Sequence, residues 1–453
     1  MIPRITAVLT RVKTDGAAQL EPDAMMAGCR EAGSPSWRDR VLTPVPTIQL
    51  FLGQILHGHP ACSHVPPLSG LRCSASAYCQ ARASLPLRLF GLRLPRLCPS
   101  AQSRLSAEGR WHGQRPFFGA GAGGSRPATP ARQAAFGPST AQRPGCGRPP
   151  AHRLGLFPAG TGVLRKRVAA PLLTHDLAHG PAAHPSVHAG DVLVADRGPC
   201  PSAHLALLVH AGLHAVRRVG ARQIVAFAPG RPFVTPRVRR TPAVKGLPRS
   251  RGLKALGGHD QPVGWLKPKP CPSWLTREPL APLPDSRALR EVRYRIRTPG
   301  FRTREVTLVT TRLDAQTSCV SALAELYRQR WQGETALSHL KTTRQMEVLQ
   351  CKTVPGALKE WTAFALVDNP VRLVRSQSAT RQHRSIERIR FIAALRWLGA
   401  LGPEVPLAAL LGKPLRPHRV EPRVKKRRPK SFPLMMNPRQ ARPPQRVQQE
   451  FHA

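Results

Sequence analysis

Apolar positions recur at helical intervals through the first hundred residues. In "TIQLFLGQILHG" (47–58) and "SASAYCQARASLPLRLFGLRL" (74–94) the spacing predicts helices, so residues 1–105 read as a small helical domain. That period is lost over 106–190, where "FFGAGAGGSRPATPARQAAFGPSTAQRPGCGRPP" is rich in Gly, Pro and Ala and taken alone reads as a linker. Patterning returns at "DVLVADRG" (191–198), a short apolar strand ending in an acid. "SAHLALLVHAGL" follows as an amphipathic helix and "HAVRRV" as a second strand, which together make an α/β unit. Residues 223–316 carry mostly strand signal and close on "REVRYRIRTPGFRTREVTLVTT", two alternating runs around the turn "TPG". Residues 317–400 are helical in pattern, with Pro370 in "ALVDNPVRLV" expected to kink or end a helix. Residues 401–453, including "RVEPRVKKRRPKSFP", read as a basic, proline-rich, mobile arm.

Charge adds a partner to this outline. Seventy Lys and Arg face 24 Asp and Glu, a formal charge of +46 over 453 residues, and such an excess repels itself unless a polyanion neutralises it. Nucleic acid is the natural partner; acidic lipid, or simple solubility, is the bland alternative. No apolar run approaches the ~18–20 residues of a membrane span, and "MIPRITAVLTRVK" lacks a signal peptide's apolar core. A soluble, unsecreted protein without a membrane partner is expected. The ten cysteines contain no Cys-x-x-Cys pair and read as reduced thiols. "HGHPACSH" offers His57, His59, Cys62 and His64 as soft-metal ligands, but no second ligand pair follows, so a helix-end loop is the better reading than zinc. Forty-nine prolines, about twice the usual share, work against regular structure in places.

Two places carry candidate chemistry. Asp196 ends a buried strand, where α/β folds place ligands and metals, although a strand-end Asp also serves as a cap. Within "YRQRWQGETALSHLK" (327–341), Tyr327, Arg330, Glu334 and Lys341 fall at about 0°, 300°, 340° and 320° on a helical wheel, in one stripe. Each alone is an ordinary solvated or salt-bridging residue.

Together the four residues match the Y-(2)-R-(3)-E-(6)-K signature, and the chain resembles the IS-four-like DDE transposases of bacterial insertion sequences. "GDVLVADRG" is similar to the strand bearing that family's second catalytic Asp. The β-rich stretch before Glu334 is similar to its insertion domain, and the helical N-terminus, "SASAYCQAR" included, to its DNA-binding region. The resemblance implies an α/β fold: an RNase H-like core (106–222 and 317–400) interrupted by a β-rich insertion (223–316), with a helical N-terminal DNA-binding domain and a basic C-terminal tail. It implies Mg²⁺ or Mn²⁺ held by carboxylates, among them Asp196 and Glu334, for metal-dependent strand cleavage and transfer. It further implies double-stranded DNA (transposon ends and target) as partner, a homodimer on that DNA, and a cytoplasmic, nucleoid-associated location. Tyr327, Arg330 and Lys341 would grip phosphates. Trp265 and Trp274 lie in the insertion, where the family stacks an aromatic on a base; a buried core Trp is the other reading of each.

One member of the set is missing. The family's first Asp follows an apolar strand, and "RPFFGAGAGGSRPATPARQAAF" (115–136) fits that frame with Ala120 in the Asp position and Ala128 in place of a second-motif Asp. No Asp or Glu occurs from 109 to 175, so no neighbour can substitute. A two-metal site that loses a bridging ligand loses most of its catalysis. The expectation is therefore a transposase by descent, impaired at Ala120. The alternatives are a DNA-binding protein without catalysis, a relic that never folds well, and a generic basic RNA-binding protein.

Overall fold

A computed structural model of the chain describes residues 21–33, 41–96, 116–125, 150–171, 180–196, 201–220, 225–227, 250–268, 271–272, 274–296, 304–346, 349–351, 353–399 and 412–414. The "TPG" turn, Ala128 and, apart from residues 412–414, the basic tail lie outside them. The fold is mixed α/β. Its helices are α1 (Pro22–Glu31), α2 (Pro44–Leu56), α3 (Val65–Ser69), α4 (Ala75–Ser84), α5 (Leu87–Arg96), α6 (Pro201–His210), α7 (Arg277–Leu280), α8 (Val320–Gln329), α9 (Trp331–Ser338), α10 (Val354–Arg381) and α11 (Phe391–Gly399). Its strands are β1 (Pro116–Ser125), β2 (Pro150–Pro158), β3 (Lys166–Pro171), β4 (Val192–Ala195), β5 (His214–Arg218), β6 (Ser250–Gly252), β7 (Asp260–Leu266), β8 (Ser286–Ile296) and β9 (Arg304–Thr310).

The strands form one sheet in the order β3-β2-β1-β4-β5-β9-β8-β7-β6. β1, β2 and β3 pair antiparallel, β1–β4 and β4–β5 parallel, and β9 returns antiparallel to β5. The stretch that reads as linker thus supplies three strands. β1 is poor in strand formers, but it lies between β2 and β4 and hydrogen-bonds to both, and its proline occupies the first strand position, where a missing N–H is tolerated. Gly155 in β2 has a packing reason: a Cβ there would stand 2.7 Å from the Phe157 ring.

Both faces of the sheet are covered, as its alternating apolar positions require. Val192, Val194, Val216, Val306 and Leu308 pack under Leu323, Leu326 and Tyr327 of α8. From the other face Ala215, Val263, Leu289 and Val309 meet Leu205 and Leu208 of α6. The N-terminal helices do not stand apart: Met25, Phe51, Phe90, Phe157, Leu340, Phe364 and Trp397 belong to a single core. A polar tie reinforces it. Fully buried Glu360 accepts the Cys351 N–H at 2.7 Å, and His59 Nε2 lies 3.3 Å from it.

Three local expectations are corrected. The 74–94 run is two helices broken at Leu85 and Pro86, because proline disfavours helix in the residue before it. Pro370 lies inside the 28-residue α10. That helix is buried nearly all round, and Asn369 beside the proline bonds Leu164 through both side-chain atoms, so packing offsets the ~3 kcal/mol a helical proline costs. The 327–341 run is not one straight helix: it tightens at Arg330, where the Gly333 N–H reaches the Arg330 carbonyl, and widens into a π turn over His339–Thr343. No helix among the described residues is long and apolar enough to cross a membrane.

Candidate functional site

β4 presents Val192 and Val194 to α8, and the next residue of that parity is Asp196, just past the strand end. There the apolar requirement stops and α8 supplies polar partners. The Tyr327 hydroxyl donates to Asp196 Oδ1 at 2.8 Å, and an Arg330 terminal nitrogen lies 3.5 Å from Oδ2. The other terminal nitrogen of Arg330 donates to Glu334 Oε1, one turn on. One guanidinium thus spans two carboxylates 138 positions apart in sequence.

The burial is uneven. Arg330 and Tyr327 are 4% and 6% exposed, whereas the Asp196 and Glu334 side chains keep 48% and 37% of their surface. The acids therefore form the open wall and the cation its floor. Rings flank the guanidinium, with Tyr327 at 5.4 Å and Trp331 at 5.1 Å, within cation–π range. The Arg330 Nε–H is buried and has no acceptor among the described residues. Burial and the bond to Asp196 push the Tyr327 phenol well above its ordinary pKa. Burial opposes charge on Arg330, but the Glu334 bond and the Asp196 charge outweigh it and raise its pKa.

β1 runs parallel beside β4. Pro116, Phe117 and Phe118 pair with Val192, Leu193 and Val194, and the same register continued places Ala120 level with Asp196. Lys341 lies half-buried in the π turn. Trp265 and Trp274 lie elsewhere: Trp265 is 6% exposed with its indole N–H donated to Glu291 at 3.1 Å, and Trp274 sits edge-on to His204.

Behind Asp196 runs a buried polar chain that the sequence reading missed. Arg217 of β5 donates to the Asp196 carbonyl oxygen at 3.3 Å and contacts His204 Nδ1 at 3.2 Å, and His204 Nε2 meets His184 Nε2 at 3.1 Å. Burial and the neighbouring Arg217 charge hold His204 well below its ordinary pKa, and burial brings His184 down to about 4. The available signal was Arg217 directly after the apolar pair Ala215 and Val216 of the short strand HAVRR.

The donor set does not fit a two-metal centre. Asp196 and Glu334 are both engaged by Arg330, and no group of three or more His, Cys, Asp or Glu side chains suited to a metal ion occurs among the described residues. The "HGHPACSH" segment is, as expected, the loop and short 3₁₀ turn that follow α2.

No protein-family model and no curated protein sequence matches the chain. Among solved structures, a chain of the cryo-EM structure of a piggyBac transposase synaptic complex with hairpin DNA is similar at 13% identity and TM-score 0.40, over 82% of this chain and 75% of that one. A likeness at that level leaves the functional reading to the side chains.

Proposed function

We propose that this chain is, by descent, a transposase of the IS-four type that keeps its grip on DNA and has lost metal-dependent strand cleavage and transfer at Ala120. The observation that carries the reading is the meeting of Asp196 with Tyr327, Arg330 and Glu334, three residues that the signature groups and an acid that the fold brings to them from a distant strand. The order β3-β2-β1-β4-β5, antiparallel then parallel, supports an RNase H-like core, with β6 to β9 as the insertion. The register that sets Ala120 beside Asp196 supports the loss of the first acid.

DNA binding in this reading rests on Lys341 and the net charge of +46, because Arg330 is buried against the two carboxylates. Tyr327 serves by holding Asp196, and Trp265 belongs to the core. The test is gel-shift titration of the full chain on duplexes carrying the inverted repeats that flank its coding sequence, against scrambled duplexes, over a salt series. Salt-dependent binding that favours the repeats is expected. Equal, weak binding to every duplex would leave a merely basic protein.

A further inference from the structure

The groups around Asp196 and Glu334 are donors, not co-ligands. Tyr327 occupies Asp196 Oδ1, while Arg330 faces Oδ2 and binds Glu334. The cation is enclosed by two rings and is the most buried member of the cluster. An Arg–Glu pair four apart on a helix surface is commonplace. A buried guanidinium that also reaches an acid from another strand is not, because sheet and helix must be placed together for it to span both.

We propose that Arg330 is the resident cation of this acidic site, bridging Asp196 and Glu334, offsetting one of their two charges and so excluding divalent metal from them. This rests on the reading above in which Ala120 stands where a third acid belonged. With three acids, one guanidinium leaves two negative charges over; with two, it leaves one. A divalent ion at either carboxylate would stand a few ångströms from a fixed positive charge in a half-buried setting, where such repulsion is far stronger than in water. Entry therefore requires Arg330 to leave, and leaving breaks two ion pairs and two ring contacts.

The test is Mn²⁺ binding to the full chain without DNA, followed by electron paramagnetic resonance, on the unaltered protein, Ala120→Asp, and Ala120→Asp combined with Arg330→Gln or Arg330→Lys. The unaltered chain is expected to take up no Mn²⁺ at this site, and Ala120→Asp alone to bind weakly. Adding Arg330→Gln should tighten binding at least about tenfold over Ala120→Asp, the scale on which groups around a metal act. Lys keeps the charge but not the two-pronged reach, so its gain should be smaller but measurable. Thermal melting selects the folded variants, and the near-surface acids leave the Lys version the milder change. Tight Mn²⁺ binding by the unaltered chain, or no gain in a folded Arg330 variant, overturns the proposal. Since no DNA is present, a failed gel shift and a failed metal result are separate outcomes.

Discussion

Lowering pH should destabilise this protein through the histidines behind Asp196. His204 has no exposed surface to speak of, with Arg217 on one ring nitrogen and His184 on the other. A proton on His204 sets it against the Arg217 cation, and a proton on His184 puts an N–H where His204, already facing Arg217, has its own N–H to place. Because burial holds the folded pKa of His184 near 4, below its ordinary 6.5, the unfolded chain binds the proton first. The stabilisation is whole above the unfolded value and is lost as pH falls through the window from 6.5 to about 4. At about 1.4 kcal/mol per pH unit, a fall to about pH 5 costs about 2 kcal/mol for His184, or about 1.5 after allowance for partial solvation. His204 shifts in the same direction and adds to the loss. The assay is urea unfolding at about pH 7 and pH 5, followed by tryptophan fluorescence, for the unaltered chain and His184→Gln, whose amide can face His204 but does not titrate. The variant should lose about 1.5 kcal/mol less than the unaltered chain. Equal losses would refute the reasoning.

Further outcomes follow from other contacts. Asp260→Asn removes the carboxylate that pairs with fully buried Arg290 through two bonds, one of 2.7 Å; the stranded guanidinium should cost about 3–5 kcal/mol in urea unfolding. Tyr327→Phe removes one bond to a half-solvated carboxylate and should cost no more than about 1 kcal/mol. Lys341→Ala should weaken binding to all duplexes alike and flatten the salt dependence by about one unit of slope, read from gel shifts at several salt concentrations.

What the sequence makes legible follows its physics. β4 and β5 are short apolar runs bounded by polar residues, and α8 carries its apolar stripe at helical spacing, so their places can be read directly. The grouping of Tyr327, Arg330 and Glu334 follows from the same spacing. β1 is another matter: Gly and Ala say little locally, and its strand state comes from partners on both sides, one of them distant in sequence. Pro370 misleads for a related reason, since helix breaking is a local cost and burial around α10 is a tertiary gain. The role of Arg330 as a bridge is invisible in sequence, because Asp196 comes to it only through the packing of α8 on the sheet. The same packing logic hides His184 and His204, and it turns Trp265 from a stacking candidate into a core residue bonded to Glu291.

The account stands most directly on strand cleavage by the unaltered chain and by Ala120→Asp, measured side by side on DNA bearing the flanking repeats with Mg²⁺ or Mn²⁺. Both proteins should bind the DNA, the unaltered chain should leave it uncut, and Ala120→Asp should gain a low level of nicking at the repeat ends, in keeping with its weak metal binding while Arg330 stays in place. Robust cutting by the unaltered chain would contradict the claim that the site is disabled at Ala120.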